Sequence, residues 1–456
     1  MVTLQRDMGL LQATATNIIG MVGVGPFLTI PFMVTAMNGP HIIYAWAFGA
    51  VLALCDGLVY AELGAALPGS GGPYVYLREA YRPFGLGRLM AFIFIFQLML
   101  VAPLSVAGGA VGFADYLGFY WTTMTTLQHN LVAAGVCVAV TALLYRDITS
   151  VGRLAVVMLA VVLATVGWVI VAGLFSFSWA QAFDFPPEAK HLDAGLLRAM
   201  AAAGLLAMYN YGGYSNVCNI GEELRTPERT LPRAIGLSIV IVVVLYVVMS
   251  TVILGMIPWR EAQQTRTIAS LFIARTFADP ARGRIAAMVM TSLILFVTAS
   301  SLYAVILGYS RIPFAAARDG QFFRVFGRLH PAKRFPHVSL LTIAAVTLPF
   351  CFFSLGQLVS WLIQVQILLQ FVWQCAAVIL LRRYRPDVAK PFRMWLYPLP
   401  ALVSLAMWLY IFVSAPAAGI VFSAAFLAVA VGAFVVFDKK NGRSSFEERP
   451  SRILNS

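Results

Sequence analysis

The sequence predicts an all-α, polytopic membrane protein of twelve transmembrane helices, built as a 5+5 inverted repeat with helices 1 and 6 broken. Three observations lead there. At 60% hydrophobic and 11% charged residues, with mean hydropathy +0.83, the chain is far too apolar for a soluble globule of 456 residues. Apolar runs of about 20 residues, enough to cross a hydrocarbon core of about 30 Å, recur from end to end. Two of these runs, five spans apart, contain residues that do not hold a helix.

The first run, residues 10–36, contains Gly20-Met21-Val22-Gly23-Val24-Gly25-Pro26-Phe27. Glycine makes helical backbone costly to order, and proline lacks an N–H and clashes with the preceding turn. Two half-helices meeting at an unwound segment are expected. In lipid such a break leaves polar backbone groups unpaired, and it is tolerated only where protein or a wet cavity supplies partners. Those groups are therefore candidate ligand contacts. Upstream, Met1 to Gly9 carries charge and shows no short apolar region ending in a small-residue cleavage site, so this run is expected to be a retained span.

The remaining spans are expected at 41–66, 86–114, 127–145, 153–176, 196–223, 234–257, 284–311, 337–355, 357–381, 396–414 and 417–437. Only a turn around Leu355-Gly356 separates the ninth from the tenth. The sixth carries Met208-Tyr209-Asn210-Tyr211-Gly212-Gly213-Tyr214-Ser215-Asn216 at its centre, a second interruption in which Ser215 or Asn216 is placed to cap the half-helix that follows. Breaks in spans one and six imply a repeat of five spans. Five is odd, so the second copy is inverted and the breaks meet near the midplane, as in many secondary transporters. The first repeat then covers 10–176, the second 196–381, helices 11 and 12 fill 396–437, and 438–456 is a cytoplasmic tail.

Basic residues test the count. With the N-terminus inside, alternate loops collect 25 of the 32 Lys and Arg, leaving only Lys190, Arg198, Arg260, Arg266, Arg275, Arg282 and Arg284 opposite. That asymmetry supports cytoplasmic N- and C-termini in a cell membrane. The net charge of +13 is thus topological, with anionic lipid headgroups as its natural partner and no nucleic acid implied. The sequence leaves the oligomeric state open. The five cysteines fall in apolar runs without CxxC spacing, and read as small core residues. His41, His129, His191, His330 and His337 are scattered, with no metal motif, and Gly69-Ser70-Gly71 is no hydrolase elbow. No catalytic constellation, cofactor site or metal site is expected.

Three loop motifs carry a resemblance. Tyr60-Ala61-Glu62-Leu63-Gly64-Ala65-Ala66-Leu67-Pro68-Gly69-Ser70-Gly71-Gly72-Pro73-Tyr74 continues through Arg78-Glu79-Ala80 after span two. Gly221-Glu222-Glu223-Leu224-Arg225-Thr226-Pro227-Glu228 follows span six, and Ser310-Arg311-Ile312-Pro313-Phe314 through Arg318-Asp319-Gly320 follows span eight. In order and spacing they resemble permeases of the amino acid-polyamine-organocation (APC) superfamily, over about residues 10–440. The resemblance implies a leucine-transporter-like fold and transport of an amino acid or related amine by alternating access. It places a substrate carboxylate against the backbone at Gly23, Val24 and Gly25, and an amino group near carbonyls of Met21, Tyr209 and Gly212. Tyr209 takes the place of an aromatic gate, while Tyr211 and Tyr214 either line the side-chain pocket or pack as core. The amino end of the outer half-helix favours an anion and carbonyl ends a cation, so a zwitterion fits.

The chain departs from its relatives in several places. Val24 replaces a common serine, and Pro26 removes one N–H, leaving Phe27 and Leu28 as donors. Val162 stands where some proton-coupled relatives carry a lysine. The proton-coupling candidates are therefore Asp56, at membrane depth in span two, and Glu222 at the inner face. A carboxylate in mid-membrane costs about 2.5 to 3.5 kcal/mol on insertion scales and is a functional candidate by default, against a hydrogen-bonded structural role. Glu222 and Glu223 also suit a latch with Arg225, Arg229 or Arg233, and Glu62 and Glu79 read as loop anchors. Ser300 and Ser301 lie where sodium-coupled members place hydroxyl ligands, or serve as helix–helix glue, so the coupling ion is expected to be H+ with Na+ open.

The expected function is proton-coupled uptake of a neutral or apolar amino acid. Leu143-Leu144-Tyr145-Arg146-Asp147 and Gly152 also resemble the polyamine-uptake branch, but Gly23 to Pro31 offers no acidic residue for a polycation. An amino acid exchanger is a further alternative. A non-transporting sensor is disfavoured by the short tail, and an enzyme by the lack of catalytic groups.

Overall fold

In the computed structural model, residues 8–440 are described except 24, 70, 146–150, 191–192, 220, 222–223 and 332–334. Each expected apolar run contains helix, the first and sixth with a break. The first run forms α1 (Leu10–Met21) and α2 (Gly25–Met37), bent by 48° at the break. Next come α3 (Ile43–Ala66), α4 (Pro73–Tyr81), α5 (Gly87–Leu117), α6 (Thr126–Leu144), α7 (Val151–Leu174) and α8 (Trp179–Ala182). The second half begins with α9 (Ala194–Tyr211), α10 (Pro227–Leu254), α11 (Trp259–Ala262), α12 (Ile268–Arg275) and α13 (Pro280–Arg318). It continues through α14 (His337–Phe350), α15 (Leu355–Gln366), a π-helical turn at Ile367–Phe371 and α16 (Val372–Tyr384) to α17 (Leu399–Val413) and α18 (Ala417–Lys440). Among the described residues there is no strand, only an isolated parallel bridge between Met8 and Leu224.

Among the described residues, seven helical segments are long and apolar enough to cross a membrane: α3, α5, α6, α10, α13, the continuous α15–α16 and α18. The bent α1–α2 pair makes an eighth if taken as one span. Residues 160–174 of α7, α14 and α17 are shorter apolar helices, and α9 stops after 18 residues at the second break.

Boundaries follow local chemistry. The turn between the ninth and tenth runs lies at 351–354, earlier than expected, because Ser354 caps α15: its hydroxyl accepts from the Gln357 N–H while the Gln357 side chain accepts from the Ser354 N–H. α10 starts at Pro227, before the apolar run, since proline suits the first helical turn. Asp279 caps α13 through the Ala281 N–H at 2.9 Å, extending that helix to 39 residues. Helices α4, α8, α11 and α12 lie in connections that hydropathy alone left unassigned.

α5 is the central column. It packs against α4, α6, α13, α14, α15 and α18, and 78% of its apolar window is buried, against 28% for α6 and 22% for α18, which therefore line the rim. α1 lies along α10, and α2 along α9, so each half of the broken first run is held by the second half of the chain. All five cysteines are free, and the Cys137 and Cys351 thiols lie 3.9 Å apart.

Candidate functional site

The two breaks meet. α1 ends where Val22 N–H closes on Ile18 O at 2.7 Å, and α9 ends where Gly212 N–H closes on Met208 O at 2.9 Å. Gly213 follows with φ +115°, a conformation natural only to glycine, and its backbone lies against Gly20: a Cβ there would sit 2.8 Å from the Gly20 carbonyl carbon. Asn17, fully buried on α1, clamps the contact. Its Nδ2 donates to Tyr214 O at 2.6 Å and to Ser238 Oγ at 3.3 Å, while its Oδ1 accepts from Val217 N–H at 2.9 Å. The unwound backbone after α9 thus receives the partners that an interrupted helix needs. No half-helix begins at Ser215; Asn216–Asn219 forms a single 3-10 turn.

The nominated site residues occupy this junction. The Met21 carbonyl accepts from the Tyr246 hydroxyl at 2.6 Å and from Gly23 N–H at 3.2 Å. Gly23 faces Ser301 on α13, whose Oγ would lie 3.3 Å from an added Cβ. Gly25 opens α2 and lies between the Asn210 amide and the Tyr209 ring. The Tyr209 hydroxyl reaches across to α5 at Gly108, so the ring spans the space between α9 and the central column. Tyr211 packs with Trp46 and Tyr246 in an aromatic cluster and donates to Trp46 O at 3.3 Å. Val24, Glu222 and Glu223 lie outside the described residues.

Asp56 is fully buried on α3 and surrounded by neutral donors. Tyr214, from the second break, donates to Oδ2 at 2.5 Å. Ser404 and Trp408 on α17 donate to Oδ1 at 3.1 and 3.3 Å, and the Cys375 thiol on α16 lies 3.8 Å from it. Of the described buried acidic residues, Glu62 pairs with Arg382, Glu79 with Arg385, and Asp438 with Arg88, whereas Asp56 has no basic partner. Tyr214 therefore does not point into open space; it links the second break to this carboxyl. Tyr60, one turn along α3, stacks edge-on to Tyr214 and accepts from Gln370 Nε2 at 2.6 Å, and Gln370 accepts in turn from Gln97 at 2.7 Å. Gln370 lies within the π turn, a feature that often marks functional positions.

Asn17, Tyr246 and Gln370 escaped the sequence reading, and Asn210 was read only as part of the second interruption; polar side chains inside apolar runs were the available signal. Among the described residues, no group of three or more His, Cys, Asp or Glu is placed to hold a metal.

Comparison with known proteins shows the family. Residues 8–437 match the amino acid permease family. An uncharacterized transporter of Mycobacterium tuberculosis is 30% identical over 351 residues, 75% of this chain and 73% of the relative. The methylthioribose transporter of Bacillus subtilis is 24% identical, with 95% and 93% covered, and its branched-chain amino acid permease is 26% identical, with 86% and 84% covered. An all-helical chain with several membrane-length helices, matched almost from end to end, belongs to the amino acid permease family of transmembrane transporters, and its work is transport of an amino acid or other small molecule rather than catalysis.

Proposed function

We propose that the protein is a secondary active transporter that takes up a neutral or apolar amino acid with a proton, by alternating access across the cytoplasmic membrane. On this reading the seven membrane-length segments, the bent α1–α2 pair, α7, α9, α14 and α17 make twelve spans in a leucine-transporter-like 5+5 arrangement, with both termini cytoplasmic. The observation that carries it is the junction itself, where Gly20 lies against Gly213 and Asn17 bridges to Tyr214 and Val217. Two interrupted helices held face to face leave a helix amino end beside carbonyl ends, which suits a zwitterion. Met21, Gly23, Val24, Gly25, Tyr209 and Gly212 are the proposed substrate contacts, with Tyr214 relaying to Asp56 as the proton carrier. The relative named a branched-chain amino acid permease supports the apolar side chain. A polyamine is disfavoured because Asp56, the one buried acidic residue beside the breaks among the described residues, already has its donors.

Reconstitution in liposomes tests this. A labelled apolar amino acid should accumulate, faster with an inward proton gradient. Uptake indifferent to pH and sodium gradients, yet dependent on internal substrate, replaces symport by exchange; accumulation of methylthioribose or a polyamine alone replaces the substrate class.

A further inference from the structure

We infer that Asn210 is a specificity-determining residue whose side-chain oxygen accepts a hydrogen bond from the substrate's α-ammonium group. The inference rests on the transport reading above and names a contact which that reading did not contain.

The amide has only one orientation available. Nδ2 donates to Thr29 Oγ1 at 2.7 Å and to Leu206 O at 2.7 Å, so both of its hydrogens are spoken for. Oδ1 is thereby fixed on the other side. It is buried, in a residue only 2% exposed, and has no hydrogen-bond partner. It faces Gly25, 2.4 Å from where a Cβ would stand, at the amino end of the 13-residue α2. A buried acceptor left unpaired costs about 1 to 3 kcal/mol, so it is an incomplete contact awaiting a donor.

The surroundings define that donor. The first turn of α2 has free N–H groups that attract a carboxylate, while Oδ1 beside them repels one. A ligand satisfying both presents an anion and an N–H donor on adjacent atoms, which is the α-carbon arrangement of an amino acid. The nearby Met21 carbonyl already accepts from the Tyr246 hydroxyl and Gly23 N–H, so an ammonium there would share it with both. Asn210 Oδ1 is a buried side-chain acceptor without a partner of its own. Side-chain recognition of the amine also accounts for a glycine at position 25, since any larger residue would cover the oxygen.

The test compares L-leucine with isocaproate, which is leucine without its amine, on the full-length purified transporter. Asn210→Leu should weaken leucine binding at least about tenfold, the loss of one charge-assisted hydrogen bond, and leave isocaproate binding no weaker. A change in leucine affinity below about twofold, or equal weakening of both probes, overturns the inference. Where Asn210→Leu does not fold, Asn210→Asp decides: it keeps an acceptor facing the amine, and should retain or widen the preference for leucine, whereas collapse of that preference overturns the inference. If the wild type binds neither leucine nor any other amino acid, the transport reading falls and takes this inference with it; leucine binding that ignores position 210 removes the inference alone.

Discussion

A carboxyl with hydrogen-bond donors on every side and no cation is an unusual thing to bury. Asp56 takes its donors from Tyr214, Ser404 and Trp408, which lie 158, 348 and 352 positions away, so the sequence revealed its depth and nothing of its company. The same holds for Asn17, whose partners Tyr214 and Val217 are 197 and 200 positions distant. Neutral donors steady a carboxylate without fixing it in that form, which suits a group that gains and loses a proton. Replacing Asp56 with Asn keeps the shape and removes the titration. Gradient-driven accumulation in liposomes should be lost, the internal substrate concentration falling to that outside, while substrate binding stays within about threefold, and normal accumulation would remove Asp56 from the mechanism.

At the scale of elements, the breaks were legible because glycine and proline interrupt apolar runs whatever surrounds them. The meeting of the breaks was inferred from the odd repeat, and the contact between Gly20 and Gly213 agrees with it. What stayed hidden was the local form of each end. The expected half-helix after Tyr214 is a single 3-10 turn, because Asn17 takes up the Val217 N–H and Tyr214 carbonyl from outside the segment. The π turn was equally invisible, since an extra residue in a helix leaves hydropathy unchanged. Gly213 offers the sharpest test of the junction. Alanine there must hold φ +115° and push against Gly20, and should cost about 2 kcal/mol or more in thermal stability and abolish transport. Gly236→Ala on α10, with open space around it, should be neutral or stabilise by up to about 1 kcal/mol.

Across the whole molecule, charged ties join the ends of distant helices. Glu62 on α3 makes paired bonds to Arg382 at 2.5 and 2.6 Å and accepts from Met394 N–H, while Arg382 stacks on the Tyr397 ring. Tyr74 on α4 donates to Asp319 beyond α13 at 2.6 Å. Glu79 on α4 pairs with Arg78, Arg82 and, across the fold, Arg385. Burial alone would raise its pKa, but Arg385 and Arg78 outweigh burial and hold it below the ordinary glutamate value. A pKa depressed by folding stabilises above the unfolded value and ceases to do so as pH falls through the folded one. Melting of Glu79→Gln should therefore fall short of wild type at neutral pH, and the gap should narrow as pH drops below about 4.3 and close beneath the depressed folded value. The sequence identified Glu62 and Glu79 as anchors from their place beside basic loops; it could not say which arginine each would hold.

The proposed proton symport also carries a thermodynamic ceiling. With Asp56 as its one carrier, a cycle would move one proton, and a zwitterion adds no net charge, so a single elementary charge would cross. A potential of about 100 mV is then worth about 2.3 kcal/mol, enough for roughly fiftyfold accumulation and no more. Each additional unit of pH difference multiplies that ratio by about ten, and a cell using this protein would scavenge substrate best from acidic surroundings.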